Sequence, residues 1–354
     1  MSICLSMIVK NEAHCIIRCL ESVRPYIDYW IICDTGSTDG TQNIIQEYLK
    51  DIPGELYECQ WEDFSTNRNQ ALSLSKNKAD YSLIIDADDY LVVENHSLLK
   101  NINAPAYHIN IKHNEITYHR IQLFKNSIDA KYIGVLHEYL EMPFNVPIAT
   151  LHGCYIQYGA NGSRSKDPKK YLNDAEVFEK VLEKEPNNPR NVFYCAQSYR
   201  DAGVHDKALE KYLHRTCIGG WEEECYVAAF NAAKITEALY PNDIVRVQSI
   251  YLKAHNILPI RSEALCCLAM YCRKKELYDL AYFYAKLGSL IPNPETGLFL
   301  DTSCYNWKIY DELCVASFYT GKKQEFKENL IKLIDNNNVP ESEKSRILFN
   351  SKFI

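Results

Sequence analysis

An α/β domain followed by an all-helical repeat array is the fold class that three features of this 354-residue sequence predict. Short β-rich runs alternate with helical stretches up to about residue 160, and the strand signals stop near Asp167. Beyond that point, small and large residues recur at helical spacing with a period of about 34–40 residues. The expected domains are 1–165 and 166–354.

Ile3–Val9 reads as the first strand and Glu12–Ser22 as the helix after it. Tyr29–Cys33 with Asp39–Leu49 repeats the unit, Leu56–Glu58 with Phe64–Ser75 makes a third, and Tyr81–Ile85 is a fourth strand. Apolar runs of this kind suit parallel strands covered on both faces. After Asp89 strands predominate: Ala106–Lys112, Thr117–Phe124, His137–Met142 and Gly153–Tyr158, which read as antiparallel additions. Ligands on such sheets sit beyond the carboxyl ends of the strands, so Val9, Asp34 and Asp86, each at a predicted strand end, are candidates for one crevice. Lys169–Glu185 reads as a solvated linking helix punctuated by Pro186 and Pro189. In Pro189–Ile218, the residues Ala196, Tyr199, Gly203, Ala208 and Tyr212 match the small/large alternation of a tetratricopeptide (TPR) helix pair. The phasing returns at Tyr251, Ala254 and Pro259, at Ala269, Ala281 and Ala285, and around Gly321. Aromatic residues at this spacing read as core packing.

A net charge of −7 argues against nucleic acid or anionic lipid as a partner. Fourteen cysteines occur without a Cys-x-x-Cys pair or zinc-like spacing, and several, such as Cys195, Cys266 and Cys267, lie inside apolar patterns. They read as buried free thiols of a reducing compartment. With no visible secretory signal and no apolar run of membrane-spanning length, a soluble cytoplasmic protein is expected, in a host cytoplasm if the source is viral.

The acidic run Asp86-Ala87-Asp88-Asp89 follows an apolar strand. Two carboxylates one residue apart at such a strand end suit a hard divalent cation, Mg²⁺ or Mn²⁺, which shares its other positions with substrate phosphates and water. The alternative is an acidic surface turn. Asp34-Thr35-Gly36-Ser37-Thr38-Asp39-Gly40-Thr41 leaves Asp34 at a strand end, able to accept from a nucleobase or ribose, or simply to complete a capped turn. Arg68, near a helix start with Asn67 and Asn69, suits a diphosphate or a base, or else pairs with Glu62 or Asp63. His137-Glu138 offers a proton carrier or metal ligand beside a general base, or a structural pair. Gly159-Ala160-Asn161-Gly162-Ser163-Arg164-Ser165-Lys166 is either a basic lid over phosphates or a linker.

Taken together, Leu5 to Glu12, Cys19-Leu20-Glu21-Ser22-Val23, Asp34 to Thr41, Asn67-Arg68-Asn69, Asp86-Ala87-Asp88 and Gly134-Val135-Leu136-His137-Glu138 resemble the family 2 glycosyltransferases. The run Ala196 to Gly203 resembles the TPR-like extension that follows the domain in one subgroup. The resemblance implies a GT-A fold, a nucleotide-sugar donor (most often UDP-linked), Mn²⁺ or Mg²⁺, and inverting transfer to a hydroxyl or thiol of a protein, peptide or glycan. It implies a donor site at Val9, Glu12, Asp34, Arg68, Asn69, Asp86 and Arg164, metal ligands Asp86 and Asp88, and Glu138 as catalytic base. A His-x-Gly is common near the end of related domains; here Gln157-Tyr158-Gly159 stands there, so either His137 or His152 substitutes as third metal ligand or the metal uses fewer protein ligands. The helical half would orient the acceptor or pair two copies into a homodimer. The rival readings are a nucleotidyltransferase, which lacks its basic Gly-rich loop here, and a TPR scaffold with an inactive sugar-nucleotide domain.

Overall fold

The computed structural model describes residues 1–113, 116–159 and 162–353. The chain divides into two compact units, Met1–Val177 and Phe178–Ile354. The expected division at 165/166 lies just ahead of the helix in which this one falls.

In the first unit, β1 (Ile3–Val9), α1 (Ile16–Val23), β2 (Tyr29–Asp34), α2 (Thr41–Tyr48), β3 (Gly54–Glu58), α3 (Phe64–Ser75) and β4 (Tyr81–Ile84) alternate. They are followed by β5 (Tyr90–Val93), β6 (Ala106–His113), β7 (Ile116–Lys125), β8 (Lys131–Ile133), β9 (Tyr139–Glu141) and β10 (Ile148–Gln157). Eight strands form one sheet in the order β3-β2-β1-β4-β7-β6-β10-β5, while β8 and β9 pair separately. β1 lies parallel to both β2 and β4, and β2 parallel to β3. β7 then enters antiparallel beside β4, with Leu83 opposite Leu123. The winding reverses at β1, since the chain moves outward to β3 and returns to β4 on the other flank. A crevice therefore opens beyond the carboxyl ends of β1 and β4. β1 is buried almost throughout and β2 through its last five residues, as parallel central strands require.

α1 begins later than the sequence predicts. Asn11 adopts a left-handed φ of 57°, and the Glu12 carbonyl accepts the N–H groups of Cys15 and Ile16, so Glu12–Cys15 forms a turn ahead of the helix. β5 and β8 went unread because three or four residues are too few to display an alternation.

α4 (Lys170–Leu182) spans the division. It buries Ala175, Phe178 and Leu182 and is amphipathic rather than solvated all round. The second unit is all-helical: α5 (Pro189–Asp201), α6 (His205–Ile218), α7 (Glu222–Leu239), α8 (Ile244–Ile257), α9 (Glu263–Lys274), α10 (Tyr278–Ser289), α11 (Ile309–Tyr319), α12 (Lys323–Ile334) and α13 (Glu341–Phe349). Pro189 is the first residue of α5, where its missing N–H is not needed. Ala196, Tyr199, Ala208 and Tyr212 are all core residues, as their spacing predicts. Gly288 belongs to a close crossing: a Cβ there would meet Ile309 Cδ1 at 2.9 Å and Ser262 Oγ at 3.0 Å. All fourteen cysteines are free thiols, most of them buried. Among the described residues, no helix is long and apolar enough to cross a membrane.

Candidate functional site

Two βα turns build one wall of the crevice. The Val9 carbonyl accepts the Thr35 N–H at 2.9 Å and its hydroxyl at 3.0 Å, which joins the ends of β1 and β2. Asn11 Oδ1 accepts the Thr38 N–H at 2.8 Å, and Asp39 Oδ2 accepts the Ala13 N–H at 3.0 Å, so the turns brace each other. Gly36 and Gly40 have φ of 103° and 90° with open space around them; backbone conformation, not room, calls for glycine there. Asp34 Oδ1 accepts from the Gly36 and Ser37 N–H groups at 2.9 and 2.8 Å and from the Gln42 amide at 3.1 Å. Its Oδ2 is buried without a hydrogen-bond partner. An acceptor left open in this way suits a nucleobase or ribose donor.

The opposite wall is acidic. Asp86, Asp88 and Asp89 follow β4, and Glu12 stands beyond β1. Asp88 Oδ2 accepts the Gly162 N–H at 3.0 Å, Asp89 Oδ1 the Gly159 N–H at 2.9 Å, and Glu12 Oε1 the Ser163 N–H at 3.2 Å. The segment read as a lid or linker thus lies against this cluster through Gly159, Gly162 and Ser163; Ala160 and Asn161 lie outside the described residues. Burial and the Asp86 charge push Asp88 above the ordinary carboxylate range. The same two causes push Asp89 up to about 7.

Arg68 on α3 links the acidic wall to Glu138. Its Nη2 donates to Asp86 Oδ1 at 2.6 Å and its Nε to Glu138 Oε1 at 2.8 Å, and its guanidinium lies 5.4 Å from the centre of the Tyr132 ring. Arg68 is 12% exposed and Glu138 14%. Burial works against ionisation of Asp86, but the Arg68 guanidinium outweighs it and holds the carboxyl below its usual range. The surface alternative, Arg68 paired with Glu62 or Asp63, does not occur: Asp63 instead caps α3 through the Thr66 N–H.

Three expected site residues are engaged elsewhere. Asn69 accepts the Tyr132 N–H at 2.7 Å and donates to the Tyr132 carbonyl at 2.9 Å, so its amide fastens β8 rather than facing a donor. Arg164 pairs with Asp174 and stacks over Phe64 at 4.8 Å. His137 is exposed with a φ of 51°. The ligand atoms of Asp86, Asp88 and His137 are not gathered; among the described residues, the group of three that does fall within 4.8 Å is Glu12, His14 and Cys15.

Residues 4–149 match the family model described as glycosyl transferase family 2. They form a family 2 glycosyltransferase domain. A TPR repeat-containing protein of Synechococcus elongatus is 34% identical over 146 residues, 39% of this chain and 35% of that protein. The SPbeta prophage-derived glycosyltransferase SunS of Bacillus subtilis is 26% identical over 233 residues, 61% of this chain and 53% of SunS. The chain spans between a third and a little over half of these relatives. Among solved structures, TarS of S. aureus (13% identity, TM-score 0.39) covers 71% of this chain and 55% of its own, and MamA (15%, TM-score 0.38) covers 50% and 88%.

Within the family 2 domain, two cations went unread in the sequence. Arg120 lies on β7, whose antiparallel course brings its earlier residues beside the carboxyl end of β4, and its charge acts on Asp86 and Asp89. Arg18 donates to the Asp88 carbonyl from α1. Neither stands in a motif, and only the sheet order places Arg120.

Proposed function

We propose that the chain is a metal-dependent, inverting glycosyltransferase that moves a sugar from a nucleotide donor, UDP-linked by resemblance, to a hydroxyl or thiol acceptor. The observation that carries this reading is the Arg68 bridge between Asp86 and Glu138 at the point where the sheet reverses. It couples a carboxylate suited to the diphosphate side with one suited to the acceptor side.

The chemistry of the donor set suits a divalent ion, while no three of its carboxylates bring ligand atoms within 4.8 Å of one another among the described residues. Asp86, Asp88, Asp89 and Glu12 offer hard oxygen donors, the kind such an ion takes. Asp86 and Asp88 would hold Mn²⁺ or Mg²⁺, which when bound would stabilise the charge on a departing nucleoside diphosphate. Asp34, with its open Oδ2, and Val9 would border the nucleoside, Glu12 lying nearby. Glu138, anchored through one oxygen by Arg68, would accept the acceptor's proton with the other. Inversion in a single displacement needs one such base, with no covalent intermediate on the chain. The cytoplasm is the proposed location and a homodimer through the helices the proposed assembly.

The test is UDP release from a panel of UDP-sugars with Mn²⁺. Wild type is expected to hydrolyse at least one donor slowly, and Asp88→Ala to lose metal-dependent release. Release that survives Asp88→Ala, or proceeds equally in a chelator, would remove the metal–diphosphate reading.

A further inference from the structure

We propose that a cavity lined by Val135 and Leu136, shortly before Glu138 in the chain, is a binding site for a neutral sugar ring of the acceptor, so that this transferase glycosylates a saccharide. The inference rests on the reading of Glu138 as the base. The cavity measures about 170 Å³ and lies between Trp61 and Phe64 at the start of α3, Val135 and Leu136 ahead of Glu138, and Asp167 and Asn173 near α4. Two links run from its lining toward Arg68 and Glu138. The Phe64 N–H meets the Val135 carbonyl at 3.4 Å, and Phe64 stands one helical turn before Arg68, which holds Glu138.

The lining selects the ligand class. Trp61 and Phe64 meet edge to face, ring centres 4.9 Å apart and planes at 82°. The Arg164 guanidinium covers Phe64, whereas Trp61 is 38% exposed, so the indole is the aromatic surface left for a ligand. Asp167 Oδ2 accepts one N–H of Asn173 at 2.9 Å, which fixes that amide and leaves its carbonyl oxygen and second N–H for other partners. Glu62 and Lys170 add an acceptor and a donor to the rim. Arg164 pairs with the buried Asp174, and Asp63 accepts from Ser65 and Thr66, which leaves Glu62 and Asp167 against Lys170 on the rim. The remaining carboxylates oppose an anionic ligand and can accept from hydroxyls, and Lys170 can donate to them. A ring of hydroxyls, each both donor and acceptor, matches such a rim while its C–H face packs on the indole.

Indole fluorescence tests this directly. Trp30 and Trp307 are buried, so Trp221→Phe leaves Trp61 as the exposed reporter. The probes are methyl glucoside, methyl galactoside and methyl N-acetylglucosaminide, titrated with UDP and Mn²⁺ present to fill the donor crevice. At least one should shift the Trp61 emission saturably in that background, and Asn173→Ala should weaken it about tenfold. In turnover with the same glycoside as acceptor, Trp61→Ala should raise the acceptor KM about tenfold. The proposal falls if no glycoside shifts the emission, if UDP abolishes the shift (the sugar then occupies the donor crevice), or if a peptide binds there and the glycosides do not. A saturable glycoside shift in a protein that hydrolyses no UDP-sugar would uphold the site and overturn the transferase reading.

Discussion

Replacing Arg68 probes the centre of the site most directly. Its guanidinium makes two charge-assisted hydrogen bonds, at 2.6 and 2.8 Å, to carboxylates on different elements. Arg68→Ala leaves Asp86 and Glu138 without their shared cation in a region already rich in negative charge. Breaking a fully buried pair costs about 3–5 kcal/mol. Asp86 is 40% exposed and Glu138 only 14%, so solvent recovers part of this and about 2–3 kcal/mol is expected. For a unit of this size that lowers Tm by about 4–12 °C. Arg68→Lys separates charge from geometry: an ammonium keeps the sign but cannot reproduce the planar fork joining both carboxylates. It should recover most of the lost stability yet leave Glu138 misplaced, with kcat down about 100-fold. Thermal denaturation and donor-hydrolysis kinetics on the two variants measure both effects. An Arg68→Ala protein with wild-type Tm and wild-type kcat would refute the bridge as the coupling element.

Three further outcomes are expected. Glu138→Gln keeps an oxygen to accept from Arg68 Nε but cannot take a proton, so kcat should fall about 10²–10⁴-fold at unchanged Tm. Because Asp89 is raised to about 7 when folded, the native state binds its proton more tightly than the unfolded chain, and stability is lost as pH rises from about 4 to 7. Asp89→Asn, whose carbonyl still accepts the Gly159 N–H, should remove that loss and gain up to about 4 kcal/mol at pH 8, read by chemical denaturation at pH 5 and 8. Asn69→Ala should lower stability by about 1–3 kcal/mol through the unpaired Tyr132 backbone, while nucleotide affinity measured by calorimetry stays the same.

The parallel half of the sheet was legible because buried central strands write themselves as unbroken apolar runs; Ile3–Val9 and Phe64–Ser75 were read to the residue. The placement of Asp34 at the end of β2 and of Asp86 just beyond β4 was legible for the same reason. What escaped depends on contacts between distant parts of the chain. Arg68 faces Asp86 and Glu138 rather than its neighbours Glu62 and Asp63, a choice made by tertiary packing. Arg120 reaches the acidic wall only through the register of β7 on β4. Asn69 has the same polar character whether it holds a ligand or a strand, and only the Tyr132 backbone decides. Arg164 sits in a stretch whose composition suits phosphate binding, yet the nearer carboxylate of Asp174 claims it.

The sheet order has a consequence for synthesis. The crevice draws on Val9 at one extreme and Ser163 at the other, so a growing chain that has finished only its parallel strands owns a scaffold without a working centre. Closure waits for the returning strands to thread between and beside those already laid down. Such long-range pairing is slow to nucleate, and a ribosome-stalled fragment ending near residue 125 should gather sheet structure yet catalyse no transfer, since Glu138 is still to be made.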